Sequence, residues 1–371
     1  MSMHYIPFLK PKLVPKESYQ HYLERIDASR IYTNNGPLNR AFEERILLEY
    51  FNNEGAVVTV SNATIGLMLA TAQLRRRGKY ALMPSFTFPA TPLSSLWCGL
   101  EPYYIDIDPD HWCMDEKRLE EAIQMLGEEV AVVVPYATFG ASLNFAYYES
   151  LLQRGIPVVI DGASSFGSAL AQQDERGFQG AIVYSFHATK SFGIGEGAIV
   201  YSGDQELIQS IRRSANFGFN EQRESKQLGL NGKISEYTAA IGLATLDVFH
   251  EKIAKREQIG EWYEEAWRRH KLSDLGWRVQ QAKGKVAYQF YPVLCRTDRD
   301  NKYYVNKLEA SGIQVRTYFS PPCHLHQMFE LHPRGLLNIT EDISNRIISL
   351  PIWEDMEQEQ VEHIVRCLAN A

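Results

Sequence analysis

The chain has 371 residues, of which 45% are hydrophobic and 22% are charged, and its formal net charge is −7. This composition predicts a globular protein of about two domains. It argues against a nucleic-acid-binding protein, because there is no basic patch, and against a membrane-spanning protein, because there is no run of about 18 apolar residues. The five cysteines are widely spaced and form no zinc-binding set, which predicts no metal site and a reducing, cytoplasmic location.

The first two hundred residues predict alternating strands and helices. Residues 16–28 predict a short helix, and the Asn-Asn-Gly-Pro run at 34–37 predicts a turn. Strands are then predicted at 56–60, 79–83, 102–106, 130–134, 157–161 and 182–187, and helices at 38–53, from about 63, at 115–126 and around 145–154. This alternation is typical of parallel βα units with both sheet faces covered. A strand at 197–201 follows too closely for a helical crossover, so we expect it to be antiparallel.

The remaining residues predict a long helix and a second unit. Residues 233–270 are helical in pattern almost throughout, and a helix of this length usually bridges domains. Beyond it the pattern predicts a strand at 286–294, a helix at 301–311, an irregular segment at 318–326 and a terminal helix at 354–369. We therefore predict a large α/β domain at 1–250 with a mostly parallel sheet, and a small α+β domain at 251–371.

The segment IVYSFHATKSFGIGEGAIV, at 182–200, holds one lysine in a tight bend between two predicted strands. Its apolar flanks would desolvate the Lys190 amine, lower its pKa from about 10.4 and make it a nucleophile. A surface lysine on a loop is the alternative, and for a lysine taken alone it is the more common case. Glycines at 193, 195 and 197 let the backbone turn sharply or approach a ligand closely.

Polar and aromatic side chains follow other predicted strands at their carboxyl ends, where α/β folds bind ligands. Ser61 or Asn62 can cap the next helix, whose N-terminus is an anion site. Asp161 ends a buried strand and needs a donor, such as a protonated ring nitrogen. Phe88 offers an aromatic face to a planar ring. Each has an ordinary alternative as a helix cap or a core residue, but together with Lys190 they are the parts of a pyridoxal 5′-phosphate site.

The text SFHATK followed by GEG resembles the DegT/StrS-type nucleotide-sugar aminotransferases, which depend on pyridoxal phosphate. The similarity extends from the NNGP loop to the LPIW segment at 350–353. The resemblance implies an aspartate-aminotransferase-like fold of type I with a mostly parallel seven-stranded sheet. It also implies a homodimer with shared active sites.

The resemblance further implies roles for individual residues. Lys190 links covalently to the cofactor and moves a proton between the cofactor and the sugar. Asp161 pairs with the pyridine nitrogen, and Ser164 stands where the family commonly has glutamine or histidine. The other implied cofactor contacts are Ala63, Thr64 and Ser185 at the phosphate, Phe88 on the ring, and Asn231 at the phosphate of the neighbouring subunit.

Candidate contacts for the nucleotide sugar lie in three places. The segment RTYFSPPCHLH resembles a family motif and implies Tyr318 and His324. Tyr32 and Asn35 in the early loop are further candidates. His187, in the segment that holds Lys190, is the fifth candidate contact, and a purely structural role is the alternative.

The activity that the resemblance implies is transfer of an amino group from L-glutamate to C4 of dTDP-4-keto-6-deoxyglucose. The product would be dTDP-4-amino-4,6-dideoxyglucose, in the setting of O-antigen or other surface-glycan assembly. The alternatives are a C3 aminotransferase acting on a dTDP-3-keto-6-deoxyhexose, a sugar dehydratase using the same cofactor, and a pyridoxal phosphate-binding regulatory protein without turnover. Lys190 argues against the dehydratase, because relatives of that kind carry histidine in its place.

Overall fold

The computed structural model describes residues 5–168, 175–282 and 286–371. The helices are α1 (Lys16–Ser29), α2 (Pro37–Phe51), α3 (Ala63–Leu74), α4 (Ala90–Trp97), α5 (Glu116–Leu126), α6 (Phe145–Gln153), α7 (Gln205–Ser214), α8 (Glu236–Arg269), α9 (Asn301–Ala310), α10 (Asn338–Arg346) and α11 (Gln358–Ala369). The strands are β1 (Ala56–Val60), β2 (Tyr80–Pro84), β3 (Glu101–Ile105), β4 (Val130–Val133), β5 (Val159–Asp161), β6 (Ala181–Ser185), β7 (Ala198–Ser202), β8 (Arg278–Val279), β9 (Tyr291–Leu294) and β10 (Ile347–Leu350). Within these described ranges, no helix has the length and apolarity needed to cross a membrane.

The sheet that carries the lysine loop has the strand order β1-β7-β6-β5. β5 and β6 are parallel, and β7 is antiparallel to β6, as its short connection predicts. β1 is antiparallel to β7, so β1, β5 and β6 all run in one direction. Their carboxyl ends therefore meet at one edge of the sheet, and residues that follow these three strands lie together there.

A second sheet has the order β3-β2-β4, and both of its pairings are parallel. Isolated parallel bridges, Val133 to Val158 and Tyr136 to Asp161, link its β4 edge to the β5 edge of the first sheet. The predicted α/β class is confirmed, with mixed rather than purely parallel strands. The single seven-stranded sheet is not confirmed, because the strands pair as two sheets of three and four.

Helix α3 fixes the geometry of the sheet edge because it packs directly on β6. A side-chain atom added at Gly66 would lie 2.8 Å from a Val183 methyl group, so a larger residue would push the helix away from the strand. The helix begins where β1 ends, and the Asn62 side chain caps it by accepting from the N–H of Ile65 at 3.0 Å. The start of α3 therefore lies at the carboxyl end of β1.

The C-terminal residues form a three-stranded antiparallel sheet, β10-β9-β8, with α9 and α11. Helix α8 contributes to two cores: residues up to Ile253 pack in the α/β core, and residues from Ile259 onward pack in the C-terminal core. The domain boundary at 250 stays a prediction. The strand predicted at 286–294 was too long, because only Tyr291–Leu294 pair with neighbours.

Candidate active site

The candidate lysine lies in the loop between β6 and β7. The loop is closed by backbone hydrogen bonds from Ala188 to the carbonyl of Gly195 and from Ile194 to the carbonyl of Phe186, at 2.8 and 2.9 Å. The Lys190 N–H donates to the carbonyl of His187 at 2.9 Å. The backbone of the lysine is thus held in one position.

The Lys190 side chain is largely enclosed, and its surroundings change its basicity. Burial lowers the pKa of the amine from its ordinary value of 10.5 to about 8, while the carboxylate of Asp161 acts in the opposite direction. The amine donates a hydrogen bond to Oε1 of Gln289 at 3.1 Å. These features match the desolvated nucleophile that the sequence predicts.

Asp161 is buried at the carboxyl end of β5. Its Oδ2 accepts a hydrogen bond from the Thr91 hydroxyl at 2.7 Å, and its Oδ1 accepts one from the N–H of Ala163 at 3.1 Å. Burial raises the pKa of this carboxyl group, and the two donors and the nearby Lys190 amine oppose that rise. A cationic ring nitrogen would be a suitable partner for a carboxylate in this position.

An anion site lies at the start of α3. The Gly66 N–H is the first to bond within the helix, to the carbonyl of Asn62 at 3.1 Å, and the Ile65 N–H is taken by the cap. The N–H groups of Ala63 and Thr64 precede these donors and remain open to an anion. Ser185, at the end of β6, lies at the same edge of the sheet. These three residues suit a phosphate group.

The residues that follow β2 supply a second set of contacts to Asp161, through Thr91. Phe88 is 57% exposed, and its carbonyl accepts from the N–H of Thr91, so the ring lies on the turn that holds the donor to Asp161. Thr87 is buried, and its hydroxyl pairs with that of Thr91 at 2.8 Å. A buried pair of hydroxyl groups therefore contacts the carboxylate, and the exposed aromatic ring lies three residues before the hydroxyl that donates to it.

Ser164 pairs with a buried tyrosine beside the candidate site. Its hydroxyl pairs with that of Tyr136 at 3.0 Å, and both residues are buried. Burial raises the pKa of the Tyr136 hydroxyl well above its usual range, so that it stays protonated and able to donate. Tyr136 also forms a bridge with Asp161 through its backbone.

Asn231 lies on an exposed loop beside the start of α3. The carbonyl of Gly232 accepts from the N–H of Ser61 at 2.7 Å, which fixes the loop next to β1. The amine of Lys233 donates to the side-chain oxygens of Asn231 and Asn216, each at 2.8 Å. Two large apolar side chains of this loop, those of Phe217 and Leu228, are exposed.

Three candidates for substrate contact remain at least partly open to solvent. The Tyr32 ring stacks on that of Tyr237, with centroids 6.2 Å apart. The side chain of Asn35 accepts from that of Asn39 at 3.2 Å. The His187 ring pairs with the Thr189 hydroxyl at 2.9 Å and lies in the lysine loop itself.

Tyr318 and His324 have different surroundings. The Tyr318 ring packs against Phe290, with centroids 5.5 Å apart. His324 is fully buried; one ring nitrogen pairs with Ser85 Oγ at 2.7 Å and the other with Glu341 at 3.2 Å. With both ring nitrogens engaged, His324 supports the fold at this point and offers no free atom to a nucleotide sugar.

Sequence reasoning missed two residues of the site. Gln289 bonds the lysine amine, and Thr91 bonds the aspartate. Gln289 belongs to no motif that the sequence patterns single out, whereas Thr91 lies three residues after the candidate Phe88 and was passed over. A cavity of about 250 Å³ lies between α8 and the C-terminal sheet. It is lined by residues such as Trp267 and Tyr288, and neither Lys190 nor Asp161 lines it.

Comparison with known proteins places this geometry among sugar aminotransferases. The sequence profile of the DegT/DnrJ/EryC1/StrS aminotransferase family matches residues 15–369. Protein Rv3402c of Mycobacterium tuberculosis is 35% identical over 99% of this chain and 90% of its own length. The dTDP-4-amino-4,6-dideoxy-D-glucose transaminase of Shigella dysenteriae is 29% identical over 96% of each chain. A UDP-2-acetamido-2-deoxy-3-oxo-D-glucuronate aminotransferase of Pseudomonas aeruginosa is 25% identical over 90% of this chain and 91% of its own.

Solved structures agree with these sequence relatives. A Bacillus cereus protein provisionally named a PLP-dependent aminotransferase has a TM-score of 0.96 and 49% identity, covering 98% of this chain and all of its own. The structure of DesI in the presence of its TDP-sugar product has a TM-score of 0.87 and 30% identity, covering 100% of this chain and 93% of its own. The overall arrangement is therefore similar to that of aminotransferases along the whole chain.

Proposed function

Since this chain belongs to the DegT/DnrJ/EryC1/StrS aminotransferase family and is a pyridoxal phosphate-dependent sugar transaminase, we propose that it transfers an amino group from L-glutamate to C4 of dTDP-4-keto-6-deoxyglucose. The product is dTDP-4-amino-4,6-dideoxyglucose. The observation that carries the proposal is the enclosed lysine amine beside a buried carboxylate at one edge of the sheet.

The residues at this edge fit the cofactor by their chemistry. The open N–H groups of Ala63 and Thr64, with the Ser185 hydroxyl, suit its phosphate. The buried Asp161 suits its ring nitrogen, and the exposed Phe88 ring suits its face. When bound, pyridoxal phosphate supplies an electron sink that stabilises negative charge on the reacting carbon.

Lys190 supplies the proton transfer. With a pKa of about 8, roughly one amine in ten is unprotonated at pH 7, against roughly one in three thousand at the ordinary value of 10.5. The Nζ atom can therefore take up a proton at one carbon and release it at another without a large penalty at either step, as the movement of an amino group from the donor to the sugar requires. The donors on both oxygens of Asp161 oppose the rise in its pKa that burial causes, and so favour the ionised carboxylate.

One relative supports the C4 position, and two support a TDP-linked sugar. The Shigella relative is named for a 4-amino sugar carried by dTDP, and DesI was solved with a TDP-sugar product. The Pseudomonas relative, named for a UDP-linked 3-oxo sugar, supports a C3 aminotransferase as the second candidate. The higher identity of the Shigella relative, 29% against 25%, favours C4. Surface-glycan assembly as the setting stays a prediction.

We propose a homodimer in which Asn231 of one subunit reaches the phosphate site of the other. The support is the exposed loop that carries it, since Phe217 and Leu228 on this loop are 44% and 80% exposed. A mixed dimer, with one Lys190→Ala subunit and one Asn231→Ala subunit, tests this. The purified mixed dimer keeps one intact site of two and is expected to show about half of the wild-type activity, whereas each homodimer is inactive. A mixed dimer as inactive as its parents would contradict shared sites.

Incubation with ¹⁵N-labelled glutamate and a panel of keto sugars tests the reaction itself. The panel holds dTDP-4-keto-6-deoxyglucose, a dTDP-3-keto-6-deoxyhexose and a UDP-linked 3-oxo sugar. The proposal expects label at C4 of the first compound. Label at C3 of either of the others would support the second candidate instead. Loss of a sugar hydroxyl without label would indicate a dehydratase.

A further inference from the structure

Gln289 is the residue whose side chain bonds the Lys190 amine, and it comes from a distant part of the chain. Its Oε1 accepts from Nζ at 3.1 Å, across 99 positions of sequence. It lies in the segment just before β9. This segment was predicted to be part of a strand, but it pairs with no neighbouring strand. A side chain that reaches a reactive lysine from this position needs a backbone that is held in place.

Contacts on both sides hold that backbone. The N–H of Ala287 donates to the hydroxyl of Ser168 at 2.8 Å. The carbonyl of Tyr288 accepts from the guanidinium of Arg256, on α8, at 2.7 Å. The Phe290 ring packs against aromatic neighbours in a buried cluster. The residues before and after Gln289 are therefore fixed to three different parts of the structure.

We propose that Gln289 is a positioning residue that holds the Lys190 amine with its neutral side-chain oxygen whenever that amine is free. The proposal rests on the proposed function, because a transaminase lysine must alternate between a bound and a free amine in each cycle. The hydrogen bond restricts the free amine to one rotamer range, so that it starts each proton transfer from the same place.

The neutrality of this acceptor matters because other charges surround the lysine. Asp161 faces it from the end of β5. Besides Lys190, the adjoining cleft is lined by four cationic side chains and one carboxylate, those of Lys10, Lys12, Lys252, Arg256 and Glu354. Lys252 and Arg256 lie 3.7 and 3.0 Å from Glu354, which balances part of that charge. A carboxamide adds an acceptor without adding a further negative charge.

Gln289→Glu in the cofactor-free protein gives the first test. The readout is the pH dependence of the rate at which added pyridoxal phosphate attaches to Lys190, followed by absorbance. The wild-type midpoint is expected near 8, and the new carboxylate is expected to raise it by about one unit or more. Gln281→Glu, the same change on an exposed glutamine, is the control and should leave the midpoint in place. An unmoved midpoint in Gln289→Glu would overturn the proposal.

Gln289→Leu gives the second test, because it removes the acceptor without adding charge. We expect kcat for amino transfer to fall about tenfold with an unchanged KM for glutamate. A fall in thermal stability with unchanged kcat would show a structural role only and overturn the proposal.

The two proposals fail in different ways. If no keto sugar is aminated but the Gln289→Glu midpoint moves, the proposed function fails, and only the contact between Gln289 and the free Lys190 amine is supported. If label reaches C4 but the midpoint stays, only the inference about Gln289 fails.

Discussion

Thr91→Val removes one hydroxyl from the site and keeps the shape of the side chain. The lost hydrogen bond, from Thr91 Oγ1 to Asp161 Oδ2 at 2.7 Å, is buried and goes to a group that works as an anion. Such bonds contribute about 1.5–3 kcal/mol. If the ionised carboxylate is what holds the cofactor ring, the dissociation constant for pyridoxal phosphate should rise roughly 10- to 100-fold.

The Thr91→Val change should also alter the pH dependence of cofactor affinity. Burial already raises the pKa of Asp161, and the Thr91 hydroxyl opposes that rise, so the variant carboxyl should take up its proton at a higher pH. Cofactor affinity should therefore begin to fall at a higher pH in the variant than in the wild type. Absorbance titration of the cofactor-free protein across the acidic to neutral range measures both effects.

Thr87→Val is the matched control for this experiment. It removes the neighbouring bond between the Thr87 and Thr91 hydroxyls, at 2.8 Å, and leaves the donor to Asp161 intact. A bond between neutral groups contributes about 1 kcal/mol, so its effect on cofactor affinity should be clearly smaller. Equal affinities in Thr91→Val and wild type at all pH values would refute the reasoning.

Two further predictions concern the buried groups of the site. Asp161→Asn should raise the melting temperature of the cofactor-free protein at neutral pH, because the raised pKa means that the ionised carboxylate lowers the stability above that pKa. The gain should shrink as the pH falls and vanish well below the ordinary pKa of 3.8, where the carboxyl is protonated in both the folded and the unfolded state. An unchanged or lower melting temperature at neutral pH would contradict this prediction. His324→Leu should lower the free energy of unfolding by about 1–3 kcal/mol, since it leaves the buried Ser85 hydroxyl without its ring partner, while Glu341→Gln, at the half-exposed end of the same contact, should cost less. Chemical denaturation measures the free energy of unfolding of the His324→Leu and Glu341→Gln variants. A rise in KM for the sugar in His324→Leu without a loss of stability would indicate instead that His324 contacts the substrate.

The sequence was sufficient to predict the residues at the sheet edge because their placement depends on strand direction alone. Asp161 ends β5, Ser185 ends β6, and α3 begins after β1. Once these strands run in one direction, their carboxyl ends share an edge whatever their order in the sheet. The antiparallel β7 followed from the shortness of its connection in the same way.

Contacts that depend on packing between distant segments could not be predicted. Gln289 reaches Lys190 only because the segment before β9 is anchored to Ser168 and Arg256, and no local pattern encodes those anchors. His324 shows the converse case: a motif names the residue, and only burial distinguishes a supporting side chain from one that meets a ligand.

The sequence analysis did not predict helices α4 and α7, and only α7 carries a clear local signal in the sequence. Helix α7 has an aspartate cap, Asp204, whose side chain accepts from two backbone N–H groups, and its Leu207, Ile208 and Ile211 form one buried face. That spacing is typical of an amphipathic helix. Helix α4 has no comparable signal, because the sequence ATPLSSLW is short and lacks an N-terminal cap side chain.

Borohydride reduction of the pyridoxal phosphate-loaded protein, followed by proteolysis and mass spectrometry, addresses the central claim most directly. The account predicts that the cofactor mass is fixed on the peptide that contains Lys190, and that a Lys190→Ala variant treated in the same way carries none. Recovery of that peptide unmodified from a protein that has bound the cofactor would contradict it.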